Sequence, residues 1–334
     1  MKPAYSFIVP VYNRPDEVRE LLNSLAHQSV DFPFEVVLIE DGSTDPCQAV
    51  AEEFSVILDI AYYLKKNTGP GDSRNYGMYR AKAEFFIILD SDVLLPEDYL
   101  KHVNAFLQQH PVDCFGGPDA AHPEFNALQK AISFVMTSWL TTGGIRGSKK
   151  NLTQFQPRSF NMGLSKKAFM ATGGFSNLHP GEDPELVFKL WDSNFKTTFI
   201  DAAVVYHKRR ISWHLFFKQV LKFGKVRPIL QQQFPHYRSP VFWLPVLFSL
   251  GLVVSIILAI FFKHLVLLSF YGMYFLLIFV VSTTAHNLKV GMMSTLAVLV
   301  QQIGYAWGFV WSSFYLYGLK KNPQEAFPEL YFKK

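Results

Sequence analysis

Two kinds of residue are scarce over long parts of this sequence of 334 residues. Cysteine occurs only as Cys47 and Cys114, whose isolation excludes the cysteine spacings of metal sites and redox pairs and favours reduced thiols. Aspartate and glutamate are absent between residues 202 and 324, a stretch that holds 12 lysines and arginines. Residues 1–201, in contrast, hold 25 acidic and 18 basic residues. We therefore expect an acidic globular part followed by a basic part with different surroundings.

The basic part is rich in aromatic residues and contains three long apolar stretches. They lie at about residues 241–262, 265–284 and 292–315, and each is long enough to cross a bilayer. Such stretches favour a membrane, and not nucleic acid, as the partner of the positive charge. Three crossings would leave the lysines of the tail outside, against the positive-inside tendency, so the number of crossings stays open.

A helix with two unlike faces is predicted just before these stretches. One helical face would carry Trp213, Phe216, Phe217 and Val220, whereas the other would carry His214, Lys218 and Lys222. This pattern is typical of a helix that lies in a membrane interface. The alternative is a helix packed on the protein with its basic face outward.

The acidic part alternates apolar strands with helices. Strands are predicted at residues 6–11, 34–39 and 85–89, and polar residues follow each of them, namely Tyr12-Asn13, Glu40-Asp41 and Asp90-Ser91-Asp92. The first two strands, with a helix that Pro15 opens, form a βαβ unit. Because ligands bind at the carboxyl ends of parallel strands, we expect the three polar segments to meet in a nucleotide site.

The carboxylates of Asp90 and Asp92 are hard oxygen donors one residue apart. They suit a divalent cation such as Mg²⁺ or Mn²⁺ that is also held by a phosphorylated substrate. A surface turn after a core strand is the alternative for this tripeptide taken alone.

Seven motifs, in their order and spacing, resemble family 2 glycosyltransferases with the GT-A fold. They are Ile8-Val9-Pro10-Val11-Tyr12-Asn13, Glu40-Asp41-Gly42-Ser43-Thr44-Asp45, Arg74-Asn75-x-Gly77, Leu89-Asp90-Ser91-Asp92, Asn161-Met162-Gly163, Gly173-Gly174-Phe175 and Gly181-Glu182-Asp183-Pro184-Glu185-Leu186. The resemblance covers about residues 5–207. It implies an α/β catalytic domain of the GT-A type, Rossmann-like with a mixed, mostly parallel sheet, followed by an α-helical membrane region.

The resemblance also implies roles for single residues. The residues of the nucleotide site would be Pro10, Tyr12, Asn13, Asp41, Arg74 and Asp90, with Asp41 on the base and Asp90 on the ribose. Asp92, together with Asp90, would hold Mn²⁺ or Mg²⁺ on the diphosphate. His207 matches a position where similar proteins supply a further metal ligand, and a solvated surface histidine is the alternative.

Asp183 and Glu182 are the candidate catalytic acids. Gly181 allows a turn, after which Asp183 is expected to cap a helix whose first residue is Pro184. A plain helix cap is one interpretation of Asp183. In similar proteins an acid here is the general base that deprotonates the acceptor hydroxyl, and a helix N-terminus stabilises its anion. Asp183 is the first candidate and Glu182 the second, and direct displacement would invert the anomeric carbon.

These inferences predict an inverting, metal-dependent glycosyltransferase. It would move one sugar from a nucleotide-sugar, a UDP-sugar by default, to a lipid-linked or envelope-glycan acceptor. The sequence has no Gln-x-x-Arg-Trp run after Asp183, which argues against a processive synthase. Two alternatives stay open. A nucleotidyltransferase would need a glycine-rich phosphate loop after the first strand, and a non-catalytic scaffold or export partner would keep a degenerate transferase domain.

Four segments are expected along the chain. Residues 1–207 would be the catalytic domain, 208–238 the interface helix and linker, 239–318 the membrane helices, and 319–334 a tail. The first residues show no signal-peptide pattern, so we expect a multi-pass protein of the cytoplasmic membrane with its catalytic domain on the cytoplasmic side.

Overall fold

The chain forms two compact units. The computed structural model describes residues 2–120, 122, 125–143, 155–207 and 212–333. Unit 1 comprises Met1–His122, Lys149–Lys208 and Tyr331–Lys334, and unit 2 comprises Pro123–Ser148 and Arg209–Leu330. Residues 123–148 therefore belong to unit 2, although the sequence-based division put them in the catalytic domain. Residues 331–334 belong to unit 1, although that division put them in the tail. The expected boundary at residue 208 lies outside the described residues.

Unit 1 alternates strands and helices. Its strands are β1 (Tyr5–Val11), β2 (Phe34–Asp41), β3 (Asp59–Lys65), β4 (Phe85–Leu89), β5 (Val93–Leu94), β6 (Cys114–Gly116), β7 (Asp119–Ala120), β8 (Asn161–Ser165), β9 (Thr197–Phe199) and β10 (Val205–His207). Its helices are α1 (Pro15–Ala26), α2 (Gln48–Phe54), α3 (Pro70–Arg80), α4 (Tyr99–Gln109), α7 (Lys166–Thr172) and α8 (Glu182–Asp192), and α5 and α6 belong to unit 2.

The main sheet has seven strands in the order β3-β2-β1-β4-β8-β6-β9. Strand β8 pairs antiparallel with β4 and β6, and every other pairing in this sheet is parallel. The predicted mixed, mostly parallel α/β sheet is confirmed. Strand β1 lies between β2 and β4, so the strand order reverses there, and the carboxyl ends of β1 and β4 border the crevice where such sheets bind ligands.

Apolar side chains on both faces of β1 explain why helices cover the sheet on two sides. Phe7, Val9 and Val11 pack in a core with Leu21 and Leu25 of α1. The intervening Ile8 instead packs in a second core, with Met78 of α3, Phe169 of α7 and Leu186 of α8. The all-buried strand is therefore a continuous apolar run, as expected for a strand between two helical layers.

A second, small sheet has three strands in the order β5-β10-β7. Its antiparallel register pairs His207 with Val93, and β10 also pairs with β7 in parallel. These strands have two or three residues each, too few to show a period in the sequence. Their consequence is local, because the pairing holds His207 next to the residue that follows Asp92.

Unit 2 is helical in the part that the structure describes. Its helices are α5 (Ala127–Thr137), α6 (Trp139–Thr142), α9 (Trp213–Gln233), α10 (Leu244–Phe262), α11 (Val266–Ala285), α12 (Leu288–Ser313) and α13 (Pro323–Ala326). By length and composition, two helices among the described residues could cross a membrane, over Pro240–Phe262 and Val266–Ala285. The third predicted stretch forms most of α12, which is not one of these two candidates.

Helix α9 packs closely on α12. Phe216 and Val220 are buried in a core that includes Val298 of α12 and Ile132 of α5. Gly224 faces the carbonyl oxygen of Tyr305 so closely that an added Cβ would lie 2.1 Å from it. Part of the apolar face of α9 is thus covered by other helices of unit 2, whereas Phe217 of that face and Lys218 of the other face are exposed.

Candidate functional site

Two acids and a histidine meet at the carboxyl end of β4. Ligand atoms of Asp90, Asp92 and His207 all lie within 4.8 Å of one another. The Nε2 atom of His207 lies 3.3 Å from Oδ1 of Asp92, and the ring of His207 stacks on that of Phe160. Carboxylate oxygens with one imidazole nitrogen are a donor set that fits Mn²⁺ and similar divalent ions. These residues could hold a metal, and the predicted trio comes together.

Two arginines balance the charge of these carboxylates. Arg14 places its NH1 atom 2.7 Å from Oδ2 of Asp92, and Arg74 places its NH2 atom 2.7 Å from Oδ1 of Asp90. Arg14 lies in the loop after β1, so both sides of the strand-order reversal contribute to one cluster. Each carboxylate of this partly buried cluster therefore has a cation in contact, which offsets its negative charge.

Arg74 joins the acids at β4 to those at the start of α8. Its side chain is only 3% exposed, and its NH1 atom lies 3.1 Å from Oε1 of Glu182. The guanidinium also lies over the ring of Phe175, 5.3 Å from its centre. Burial alone would lower the pKa of Arg74, but Asp90, Glu182 and Asp183 outweigh it and raise the pKa. A fixed positive charge therefore lies between the two groups of acids.

Asn75 explains why the Arg-Asn motif and the Gly-Gly-Phe motif occur together. Its Nδ2 donates to the carbonyl of Phe175 at 2.8 Å, and its Oδ1 accepts from the Phe175 backbone N–H at 2.9 Å. Gly174 has φ +73°, and an added Cβ there would lie 2.3 Å from Oδ1 of Asn75. The glycine is thus needed both for the backbone angle and for the close approach. This contact fixes the loop that carries Phe175 against α3.

The helix that carries the catalytic candidates begins earlier than predicted. Helix α8 starts at Glu182, and Gly181, with φ 127°, is its N-cap without a side-chain cap bond. The prediction that Asp183 caps the helix was wrong, because glycine alone adopts this backbone angle readily and takes the cap position. Glu182 and Asp183 both lie in the first turn.

Glu182 is a buried anion between two cationic partners. The Nδ1 atom of His179 lies 2.8 Å from Oε1 of Glu182, on the same oxygen that Arg74 contacts. Burial would raise the pKa of Glu182, but the charge and hydrogen bond of His179 and the charge of Arg74 outweigh it and lower the pKa. The same contact affects His179. Burial would lower the pKa of His179, but the charge and hydrogen bond of Glu182 outweigh burial and raise the pKa. Glu182 is thus fixed as a structural anion and has no tendency to take up a proton.

Asp183 has the opposite character. Its Oδ1 atom is buried and has no hydrogen-bond partner among the described residues. Burial and the neighbouring charge of Glu182 raise the pKa of Asp183 to about 6, against the opposing effect of Arg74 and Arg158. The expected stabilisation of its anion by the helix N-terminus is therefore outweighed, although a pKa of about 6 still leaves most of the carboxylate ionised at neutral pH. This oxygen is the acceptor that a general base requires.

Three of the predicted nucleotide-site residues lie in β1 or directly after it. Pro10 lies inside the buried strand, and the side chain of Tyr12 is exposed. Asn13 has φ 53°, and its Oδ1 accepts from the backbone N–H groups of Thr44 and Asp45 at 2.8 and 3.0 Å. The amide oxygen of Asn13 therefore joins the loops after β1 and β2, and both Tyr12 and Asn13 are exposed.

Asp41 lies within β2 and not in the loop that was expected after it. The strand extends to Asp41 because the residue pairs with Lys65 of β3. Its Oδ1 accepts from Nζ of Lys65 at 2.6 Å and from the N–H of Thr68 at 3.0 Å, and its Oδ2 accepts from the N–H of Gly69 at 2.9 Å. Asp41 thus holds the turn that opens α3. Its Oδ1 already accepts two hydrogen bonds, whereas its Oδ2 keeps capacity for one further donor.

The comparisons with known proteins agree with this geometry. Residues 6–171 match the family model described as glycosyl transferase family 2. These residues form a glycosyl transferase family 2 domain. The chain is 39% identical over 114 residues to the poly(ribitol-phosphate) beta-N-acetylglucosaminyltransferase TarS of Staphylococcus aureus. That match covers 33% of this chain and 20% of TarS, so the chain spans only about a fifth of the length of this relative.

Solved structures share the fold of this chain. The mannosyltransferase PcManGT from Pyrobaculum calidifontis, in complex with GDP-Man and Mn²⁺, is 14% identical with a TM-score of 0.65, covering 92% of this chain and 88% of that one. Residues 1–349 of S. aureus TarS in complex with UDP-GlcNAc are 20% identical with a TM-score of 0.50, covering 95% of this chain and 92% of that one. The predicted family and the predicted GT-A-type fold are both confirmed.

Two residues of the cluster were not predicted from the sequence. Arg14 directly follows the Tyr-Asn motif, and its position there is a weak signal for a cation near β4. His179 lies three residues before Glu182, a spacing at which helical neighbours meet. No pattern in the sequence indicates that the contact also forms here, where His179 lies before the helix.

Proposed function

We propose that the chain is an inverting, metal-dependent glycosyltransferase that moves one sugar from a nucleotide-sugar to an acceptor hydroxyl. The observation that carries this proposal is the juxtaposition of two kinds of acid around Arg74. On one side lie Asp90, Asp92 and His207, and on the other lies Asp183, whose buried Oδ1 has no hydrogen-bond partner within the described part of the chain. A degenerate, non-catalytic domain would have no reason to keep both.

Each side supports a separate role. A Mn²⁺ or Mg²⁺ ion held by Asp90, Asp92 and His207 would neutralise the leaving nucleoside diphosphate. Asp183 would take the proton of the acceptor hydroxyl at its free Oδ1. Glu182, kept as an anion by His179 and Arg74, would raise the basicity of Asp183 through its charge. Direct attack by the acceptor, without a covalent enzyme intermediate, inverts the anomeric carbon.

The donor is proposed as a UDP-sugar. This rests on the TarS fragment that was solved with UDP-GlcNAc, whereas the PcManGT structure holds GDP-Man, so GDP-sugars are the comparison to make. The nucleotide would meet Tyr12, Asp41, Arg74 and Asp90 at the carboxyl ends of the strands. The acceptor is proposed as a lipid-linked or envelope glycan, which the poly(ribitol-phosphate) named for TarS supports as a class.

The proposed location is the cytoplasmic face of the membrane, with two crossings. Residues Tyr331–Lys334 belong to the same unit as β1 and β4. If unit 1 lies wholly on one side, the chain must cross the membrane an even number of times between residues 208 and 331. The two candidate spans satisfy this condition, and three crossings do not. Two crossings also keep Lys320 and Lys321 inside, which agrees with the positive-inside tendency.

The test is nucleotide-sugar hydrolysis and transfer by the full chain extracted from membranes. UDP-, GDP- and dTDP-sugars are supplied with Mn²⁺, with Mg²⁺ and with a chelator, and NMR of the product reports its anomeric configuration. We expect release from one donor only with metal, and loss of that release in Asp92→Asn. Asp98→Asn is the matched control, because Asp98 is an exposed acid between β5 and α4 whose carboxylate lies 3.7 Å from Lys101.

Donor binding separates a transferase from a scaffold. If labelled donor binds with metal but is not hydrolysed, a missing acceptor explains the silence and the proposal stands. If no nucleotide-sugar binds in the presence of metal, the proposal is wrong and the export or scaffold role takes its place. The nucleotidyltransferase alternative is not pursued, since residues 6–171 match the glycosyltransferase family.

A further inference from the structure

The segment Tyr331–Lys333 returns to unit 1 after the whole of unit 2 and lies on the loop before α8. Tyr331 forms an antiparallel bridge with Leu178. The N–H of Phe332 donates to the carbonyl of Asn177 at 3.0 Å, and Nδ2 of Asn177 donates to the carbonyl of Phe332 at 3.1 Å. The segment is thus held by one bridge and two hydrogen bonds on the loop that leads to Glu182 and Asp183.

The ring of Phe332 lies between two parts of the candidate site. On one side it approaches His179, with 6.0 Å between the ring centres. On the other side it lies against Gly69, where an added Cβ would be 2.4 Å from the ring. Gly69 donates its N–H to Asp41, and His179 holds Glu182. One aromatic side chain therefore contacts both the turn at the proposed nucleotide site and the histidine behind the proposed catalytic pair.

We propose that Phe332 is a positioning residue that holds His179 and the Thr68–Gly69 turn in their working places. The proposal rests on the proposed transferase function. Phe332 packs against the imidazole and limits its rotation, so the hydrogen bond of Nδ1 to Glu182 is retained. Through Glu182 and Arg74, this fixes the charges beside Asp183 and Asp90. Within the described part of the chain, the contacts of Phe332 with the site run to His179 and Gly69, not to the three proposed metal ligands or the proposed base. Its effect must therefore pass through His179 and Gly69.

The first test needs no enzymatic activity. Hydrogen exchange is measured by mass spectrometry on the full chain and on Phe332→Ala, with Lys333→Ala as the matched control because Lys333 is exposed. We expect faster exchange in Phe332→Ala in peptides that cover residues 68–69 and 177–181, and unchanged exchange in the sheet and in Lys333→Ala. Unchanged exchange in both loops would overturn the proposal, whether or not the protein proves to be a transferase.

The second test measures how Phe332 acts. In donor hydrolysis or transfer, Phe332→Ala is expected to lower kcat/KM about tenfold, since small misplacements of a catalytic group are costly. Phe332→Tyr keeps the ring and should retain most of the activity. In a cycle with His179→Gln, the double variant should lose less than the product of the two single losses, because part of the effect of Phe332 passes through that histidine. Additive losses, or a Phe332→Ala enzyme as active as the wild type, would contradict the proposal. If the wild type shows no activity, the exchange result still decides it.

Discussion

Arg74 is the residue on which the candidate site depends most. It contacts Asp90 at 2.7 Å and Glu182 at 3.1 Å, and it is almost fully buried. A buried cation between two acids can hold a fixed geometry only while both partners are present, since removing one leaves an uncompensated charge. Its planar group forms both contacts at once, which lysine cannot reproduce.

The pH dependence of the reaction should report the carboxyl group of Asp183. The base form is needed for transfer, and the pKa of Asp183 is raised to about 6. The carboxyl group is thus deprotonated above about pH 6 and takes up a proton as the pH falls through that value. We expect kcat/KM for acceptor transfer to be level near pH 7 and to fall toward about tenfold per pH unit below pH 6. Initial rates between pH 5 and 8 measure this.

Asp183→Asn is the control for that profile. The amide cannot accept the proton, and we expect kcat to fall by about a hundredfold or more, the scale of general base catalysis. Donor binding should change little, because Asp183 lies outside the proposed metal trio. An acid limb in the wild type that is centred well away from pH 6 would contradict the assignment of the base.

His207 should matter for metal affinity and not for the fold. Its Nε2 atom is beside Asp92, and its strand is held by backbone pairing with β5 and β7. We expect His207→Ala to raise the Mn²⁺ concentration needed for half-maximal activity by about tenfold or more, since one of three ligands is lost. Saturating metal should restore much of kcat. A Mn²⁺ titration of donor hydrolysis measures the change, and an unchanged midpoint would show that His207 is not a metal ligand.

At the scale of elements, the close packing of α9 on α12 depends on glycines at their contact. At Gly308, an added Cβ would lie 2.1 Å from the carbonyl oxygen of Leu221 in α9. We expect Gly308→Ala to destabilise unit 2 by about 1–3 kcal/mol, because the clash is with backbone and cannot be relieved by turning a side chain. Thermal unfolding in detergent measures the loss.

Gly272 in α11 is the matched control for Gly308. An added Cβ at Gly272 would meet nothing within 4 Å. Gly272→Ala is therefore expected to leave stability unchanged or to raise it by up to about 1 kcal/mol, since alanine favours a helix. Equal losses for both substitutions would mean that the close contact of α9 and α12 does not hold in the protein.

The elements with a clear period were predictable from the sequence, and the pairings between distant elements were not. Strands β1, β2 and β4 are long apolar runs, and α1 shows its apolar face as Val18, Leu21, Leu22 and Leu25, all of them buried. The start of α8 was misplaced because Asp-Pro is also a good cap signal, and only the backbone angle of Gly181 decides between the two. A strand pairing of two residues sets the neighbours of His207, and a single bridge at Tyr331 sets those of Phe332. Pairings this short carry no local signal in the sequence.

The number of membrane crossings is a property of the whole molecule. Two crossings put the turn at His264 outside and keep Lys2 and Lys320 inside. Both natural cysteines are buried, and burial raises the pKa of both thiols, so they should react slowly with a maleimide. In intact cells, a membrane-impermeant maleimide is expected to label His264→Cys but not Lys2→Cys or Lys320→Cys.

Permeabilised cells provide the control for that labelling, since all three engineered cysteines lie at exposed positions and should then react. Labelling of Lys320→Cys from outside would indicate three crossings. Labelling of Lys2→Cys from outside would place the amino-terminal part of unit 1 on the outer side and overturn the proposed location.

The return of Tyr331–Lys333 to unit 1 also sets an order of events during synthesis. A ribosome makes the main sheet first, then every helix of unit 2 from α9 onward, and only afterwards the segment that pairs with Asn177 and Leu178. The loop before α8 thus waits for its last partner until the apolar helices have left the ribosome. A nascent chain released early, within unit 2, would contain all of the predicted acids. It would still lack residues 331–333, which contact the loop before α8.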